Sequence, residues 1–451
     1  MLRRDPDGPA PGVLERTLAR VDPAVIGAGF VLLALVVYVL SNPARQNYYN
    51  HFVWQAQSFL HLDAAIPWKV PGAPSFQDVM PLAGRPGFGL IPFPPLPAVL
   101  LMPLVAIWGT ATNAALFAAV LGALNVGLCW RMLIRITKRR DAAALGTVFY
   151  GFGTVAWYAA MLGSTWFLAH VVASTFLFLA ITAALDAERR EAVAGAARGV
   201  LGFLDLGQFV AGFLLGVAAL SRLTTILGAP FFVFVGGGGS WMRRAFSAGL
   251  GAAIPVGMLV VYNLAVTGHV FNPAYDYIAR SEYHPPGGQY QAEWAIEDLR
   301  YVPGNAAIML LQPPEQPANT PDCADVTTSG LDVLLDQDCA AFRPNAIGMS
   351  LLLTSPAYLL GVPALFSGLF RRMVAGAAIS IVAIAFVNLM HFSQGWVQFG
   401  YRFSNDFAPF GMVLVGLALA RFGVRWWSVA LVAASVLVNA WGVYWGVTLG
   451  W

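Results

Sequence analysis

Apolar residues run in long blocks along this chain, too long for the alternation of a strand or the single stripe of a surface helix. Twelve such blocks stand out, at 24–41, 92–109, 114–134, 142–161, 165–185, 206–221, 223–239, 245–266, 346–369, 373–391, 407–420 and 426–448. A hydrocarbon core takes about 20 apolar residues per helical crossing. The pattern therefore predicts an all-α polytopic membrane protein with no separate soluble domain. One block differs. Residues 92–109 open on Pro92, Pro94, Pro95 and Pro97 and contain Pro103. Proline removes backbone donors and interrupts helices. Backbone freed in this way is tolerated in lipid only where protein buries it or it lines a cavity. The segment 91–110 is therefore read as re-entrant or juxtamembrane, which leaves eleven spans.

Charge tests that reading. With eleven spans and the N-terminus inside, 18 of the 26 basic residues fall on the inner side. They include Arg131, Arg135, Lys138, Arg139, Arg140, Arg189, Arg190, Arg243, Arg244, Arg371, Arg372, Arg421 and Arg425. Nine of the 23 acids lie inside and 14 outside. A full crossing at 92–109 would turn every later arginine cluster outward, against the positive-inside rule. The expectation is a multi-pass protein of the bacterial cytoplasmic membrane, N-terminus inside and C-terminus outside. It has one transmembrane domain over 1–451 and two long outer loops, 42–90 and 267–345.

Composition agrees. Apolar residues make up 58% of the 451 and charged residues 11%, against roughly a quarter charged in soluble domains. A soluble globular protein, a nucleic-acid-binding protein and a disordered chain are excluded. The inner loops carry no phosphate-binding loop. The run Gly236–Gly239 lacks the lysine and strand of a nucleotide site, which argues against a nucleotide-driven pump.

The candidate chemistry lies outside. His51, His61, His170, His269, His284 and His391 all fall in outer loops or outer span ends. They pack and hydrogen-bond at the interface, or some of them line a polar site. No pair has zinc-motif spacing; no metal site is indicated, and a divalent metal stays open as a cofactor. Cys323 and Cys339 share the second loop and suit a disulfide; two free thiols is the alternative. Arg222, Arg280 and Arg402 stand beside spans, where charge is costly and is usually paired or functional. Arg402 pairs with Asp406 or snorkels to the interface, or it joins another arginine in holding a lipid phosphate.

Several motifs together carry a resemblance. Tyr48-Tyr49-Asn50-His51 leads into Phe59-Leu60. Pro92-Phe93-Pro94-Pro95 precedes Pro103 and Gly109. Tyr262-Asn263 precedes Thr267-Gly268, Phe271 and Tyr275, and Tyr401-Arg402 precedes Pro409. In this order the chain resembles the GT-C membrane glycosyltransferases, closest to the bacterial branch related to protein mannosyltransferases and aminoarabinose transferases. The resemblance implies a GT-C-like bundle and transfer of a sugar from a polyprenyl-phosphate lipid to a glycan, lipid or protein acceptor on the outer face. It also implies a first-loop carboxylate as base. The family's usual acidic position reads Arg45-Gln46-Asn47 here. The first-loop acids are Asp78, the first choice as base, and Asp63, the second. Either is alternatively a loop acid pairing with Lys69 or Arg85. Arg402, Tyr401, Arg222, Arg280, His51, Asn47, Tyr49, His391 and Glu282 are the candidate substrate-binding residues. A lipid or small-molecule transporter and a non-catalytic relative are the alternatives.

Overall fold

The computed structural model describes residues 12–44, 49–194, 204–281, 291, 293–319, 323, 330–368 and 371–451. In chain order its α-helices begin with α1 (Val13–Leu18), α2 (Pro23–Ser41), α3 (His51–Leu60), α4 (Leu96–Trp108), α5 (Ala114–Ile136), α6 (Arg140–Phe152) and α7 (Ala156–Leu162). Next come α8 (Thr165–Ala194), α9 (Leu206–Ala219), α10 (Ala229–Phe234), α11 (Trp241–Thr267), α12 (Ala274–Ser281) and α13 (Val302–Leu311). The last are α14 (Asp332–Leu335), α15 (Leu351–Thr354), α16 (Val362–Gly368), α17 (Arg372–Met390), α18 (Ala408–Phe422) and α19 (Trp426–Thr448). Side-chain caps start several of them. Asp22 accepts from the Ala24 N–H, Asn113 from Leu116 and Asp205 from Gln208, each satisfying a donor the first turn leaves orphaned.

The expected all-α, multi-helix class holds. Six described helices are long and apolar enough to cross a membrane: α2, α5, α8, α11, α17 and α19. A seventh is the pair α6 and α7, bent by 49°. The bend falls at Gly153, whose N–H still reaches the Phe149 carbonyl and whose bare Cα lets Ser435 approach; glycine is a common origin of sharp kinks. The remaining apolar blocks form helices of 10–17 residues. Where the sequence counts eleven full crossings, four blocks are therefore built as helices too short to cross alone. Helix α9 has 14 residues, about 21 Å of rise against a hydrocarbon core of about 30 Å. Prolines interrupt the others: Pro230 at the start of α10, Pro356 and Pro363 in the block at 346–369, and Pro409 at the start of α18.

Charged segments assigned to one side by sequence meet at one end of the bundle. Arg135 pairs with Asp186 at 2.6 Å and Arg372 with Glu188 at 2.6 Å. Glu191 accepts from the Gly238 N–H. Glu15 accepts from the Asp141 N–H, and Arg139 pairs with Asp141.

The first loop builds a small layer of its own. A three-stranded antiparallel sheet, order β1-β3-β2, joins β1 (Ile66–Pro67), β2 (Met80–Pro81) and β3 (Phe88–Leu90). Gly89 sits where a Cβ would strike Val79 and the Met80 carbonyl. Helix α4 passes through Pro103 without ending, contrary to the expected break. At 13 residues, or about 20 Å, it is nevertheless too short to cross alone. It packs on α3 through a satellite core of Phe52, Val53, Ala56, Ala98, Leu101 and Val105.

Helices in lipid gain no hydrophobic drive against one another, so close packing relies on small residues. The α9–α11 seam shows this. A Cβ at Gly212 would collide with the Ala248 backbone carbonyl, one at Gly216 would lie 2.6 Å from the Ala252 carbonyl, and one at Gly251 would strike the Phe209 carbonyl. The expected outcome for Gly212→Val is a loss of about 2–4 kcal/mol by overpacking, read as a lower unfolding temperature in detergent. Gly249→Ala, with open space around its Cα, is expected to leave the temperature unchanged. An unaffected Gly212→Val would contradict this packing.

Candidate functional site

The short helices decide where polar groups can meet. Helix α9 ends at Ala219, and a 3-10 turn over Leu223–Gly228 leads back into α10. The returning leg is tied to its partner by Gln208, whose amide donates to the Phe232 and Val235 carbonyls. Arg222 sits at the turn of this hairpin, short of a full crossing. Helix α18 has 15 residues and is preceded by a 3-10 turn over Arg402–Asp406. The two turns touch. Arg222 forks onto Asp406, Nε to Oδ1 at 3.2 Å and Nη2 to Oδ2 at 2.9 Å.

Asp406 is wholly buried, and a buried carboxylate must be compensated. Four neighbours supply donors. His170 on α8 donates from Nδ1 to Oδ1 at 2.7 Å. Arg222 supplies its fork. The Thr224 hydroxyl donates to Oδ2 at 3.2 Å and the Asn388 amide of α17 donates to Oδ2 at 3.1 Å. An ionised carboxylate offers about four lone-pair positions, so Asp406 has no capacity left. The sequence alternative in which Asp406 pairs with Arg402 is corrected here: Arg222 takes that carboxylate.

Arg402 is left over. Among the described residues its side chain makes no hydrogen bond or ion pair, and its buried Nε lacks a partner. Its guanidinium carbon lies 5.2 Å from the Phe403 ring centroid, and that of Arg222 lies 5.1 Å from the same centroid. The two cations therefore flank one aromatic ring, a favourable surrounding for each.

Asp78 approaches this pair from the first loop. Its backbone is left-handed, φ 57°, a conformation that aspartate tolerates better than most residues. Its Oδ2 accepts the Trp166 indole N–H at 2.8 Å. It lies within electrostatic reach of Arg402, His51 and Tyr275. Tyr275, on α12, is also within reach of Arg222 and Glu297. Burial pushes its phenol up to about 12, so it remains a hydrogen-bond donor at neutral pH. Tyr49 is 40% exposed beside Asp78's partner, its ring 5.2 Å from Trp166 and 6.2 Å from Phe76.

The other candidates divide. His51 is buried, and its Nε2–H donates to the Gln77 carbonyl at 2.8 Å while Nδ1 lies 3.0 Å from the Thr165 hydroxyl. Both nitrogens are thus occupied within the protein. Burial holds its pKa below the usual histidine value, and the neutral ring steadies the residue next to Asp78. Tyr401 is also fully buried, its hydroxyl given to Gln394 Oε1 at 2.8 Å. His391 stands with Glu297, 3.2 Å away, and faces the Tyr275 ring. Arg280 pairs with Asp276 four residues earlier, both more than half exposed. No hydrogen bond joins it to the cluster among the described residues. Asp63 is paired with Arg85 at 2.5 Å. Its partial burial alone would raise its pKa, but the Ala65 N–H and the Arg85 guanidinium outweigh this and hold it below the usual carboxylate range. Asn47 and Glu282 lie outside the described residues, as does Arg45-Gln46. Cys323 and Cys339 are joined as a disulfide.

Sequence reasoning missed the centre. Asp406 entered only as a partner for Arg402, and Asn388 and Trp166 did not enter at all. The signal was available: an acid at the mouth of an apolar helix is expensive unless something pairs with it. Among the described residues no group of three or more His, Cys, Asp or Glu side chains is arranged to hold a metal. With His51 committed elsewhere, the donors beside Asp78 do not fit one, and no step is derived through a metal.

No protein-family model matches this chain, and no curated protein matches it. Two solved structures are similar, both of the Archaeoglobus fulgidus oligosaccharyltransferase. One is tethered to an acceptor peptide containing the NVT sequon, at TM-score 0.49, and the other is the apo form, at 0.47. Each is 13% identical and covers 94% of this chain and 55% of the other. The chain thus spans about half the length of the solved structures it matches, and at these scores the likeness assigns no activity.

The contrast between His51 and Asp63 gives a stability test. His51→Ala empties a buried position and strands the Thr165 and Gln77 partners, an expected loss of about 2–4 kcal/mol. Asp63→Asn removes an exposed ion pair worth about 0–1 kcal/mol. Thermal unfolding of the purified protein checks both; equal shifts would contradict the assignment of His51 to the interior.

Proposed function

We propose that this protein is an integral-membrane glycosyltransferase that moves a sugar from a polyprenyl-phosphate-linked donor to an acceptor hydroxyl at the outer face of the membrane. The observation that carries the reading is the juxtaposition of a partly exposed carboxylate, Asp78, with a guanidinium, Arg402, that has no hydrogen-bonded anion among the described residues. The motif order that resembles the GT-C enzymes supports it, and so do the short helices whose turns carry Arg222 and Arg402. A lipid donor must be reached at membrane depth, and the turns carrying Arg222 and Arg402 stop short of a full crossing.

In this reading transfer is a single displacement. The acceptor oxygen bonds to the anomeric carbon of the sugar while its proton passes to Asp78, which acts as general base. The anomeric carbon–oxygen bond to the phosphate breaks, and its electron pair leaves on the phosphate. Arg402 stabilises the charge that develops there. Trp166 holds one oxygen of Asp78 and leaves the other for the acceptor. Tyr275, still protonated, donates a hydrogen bond to donor or acceptor. His51 fixes the loop through Gln77. Asp63, engaged by Arg85, takes no part, and neither does Arg280. Tyr49 and His391 line the approach, and Glu282 is kept as a residue of the acceptor loop.

Transfer is tested with purified protein, a panel of polyprenyl-phosphate sugars and detection of product by mass spectrometry. Asp78→Asn is expected to lower transfer about 10²–10⁴-fold and Arg402→Ala about 10²–10³-fold, with unfolding temperatures near that of the unmodified protein. Normal transfer by both variants would overturn the site. Binding of the lipids without transfer by the unmodified protein would make the chain a non-catalytic relative.

A further inference from the structure

We propose that Asp406 is a positioning residue that sets anion specificity: by neutralising Arg222 it leaves Arg402 as a cation with no hydrogen-bonded anion among the described residues, matched to a singly charged phosphodiester and not to a diphosphate. The inference rests on the glycosyltransferase reading for the nature of its ligand. Its structural basis is the saturation of one carboxylate. His170, Arg222, Thr224 and Asn388 all donate to Asp406 at 2.7–3.2 Å, so that anion cannot also engage Arg402. The Arg222 side chain is 18% exposed and forked onto an acceptor that is 0% exposed. Its charge is answered within the protein.

The two guanidinium groups nevertheless sit on one ring, 5.1 and 5.2 Å from the Phe403 centroid. Arg222 also lies within electrostatic reach of Arg402, so a ligand anion at Arg402 feels both cations. With Asp406 and Asp78 ionised, the two arginines and the two carboxylates carry no net charge, and Arg402 is the cation left to meet a ligand anion. A phosphodiester adds a single negative charge, which Arg402 meets. A diphosphate brings more negative charge than the cluster answers, and Asp406, Asp78 and the limited solvent access all oppose the excess. Removing the Asp406 charge while keeping Arg222 raises the net charge by one unit and opens the site to the diphosphate.

The test uses the full-length protein in detergent with two probes of equal chain length, methyl farnesyl phosphate and farnesyl diphosphate. Binding is followed by native mass spectrometry. The unmodified protein is expected to prefer the diester by about tenfold or more, and Asp406→Asn to shift the ratio of affinities toward the diphosphate by a similar factor. A merely structural role would weaken both probes together and leave their ratio unchanged. Where Asp406→Asn does not fold, the paired variant Arg222→Leu/Asp406→Leu removes both charges and keeps the net charge, so the preference for the diester is expected to persist. Equal affinity of the unmodified protein for both probes, an unchanged ratio in Asp406→Asn, or loss of the preference in the paired variant would each overturn the proposal and leave the Asp78–Arg402 reading standing. Binding of neither probe by the unmodified protein would overturn that reading and this proposal with it.

Discussion

A carboxylate removed from water must find donors, and in this protein that requirement gathers the structure around Asp406. The donors come from α8, from the turn after α9, and from the C-terminal end of α17, while Asp406 itself stands just before α18. None of these elements is adjacent in sequence to all the others. Removing one partner of a buried ion pair commonly costs 3–5 kcal/mol, because the other charge is stranded. The network therefore fixes the register of four segments at once. It also determines which cation is free. Arg222 is used in holding the fold, and Arg402 is not.

Helix length explains why these groups can meet at the turns between short helices. A hairpin with a leg of 14 residues and a helix of 15 are shorter than the hydrocarbon thickness of about 30 Å, and the turns beside them carry Arg222, Arg402 and Asp406. The hairpin can sit tightly against α11 because Gly212, Gly216 and Gly251 let backbone touch backbone. The first loop then packs against the site. Its sheet and the α3–α4 layer hold Asp78, and His51 bridges from α3 to the carbonyl just before it. Trp166, at the start of α8, carries the link on to the main bundle.

Much of this was legible from the order of residues. All twelve apolar blocks became helical, and the arginine clusters assigned to one side meet at one end. The proline-rich segment became a short helix, although Pro103 did not end it as local rules suggest. Block length was less legible, because hydropathy does not register where Pro230 or Pro356 interrupts a helix. The site was legible in part. Asp78, Arg222 and Arg402 stood out because charge is scarce in so apolar a chain. Tyr401 and His51 stood out as well, yet they serve the interior, since an aromatic or imidazole reads the same in sequence whether its polar atom meets a ligand or a carbonyl. The pairing of Asp406 with Arg222 rather than Arg402 could not be read at all. Sequence proximity favoured the neighbour four positions away, and tertiary structure chose one 184 positions away.

The account depends on Asp78 and Arg402 serving one bound donor. The most direct measurement is an experimental structure of the protein with a polyprenyl-phosphate sugar bound. The account predicts the phosphate within hydrogen-bond distance of Arg402 and the anomeric carbon on the side facing Asp78, with Arg222 still forked onto Asp406. A phosphate held elsewhere, with Arg402 unoccupied or Asp78 turned away from the sugar, would contradict it.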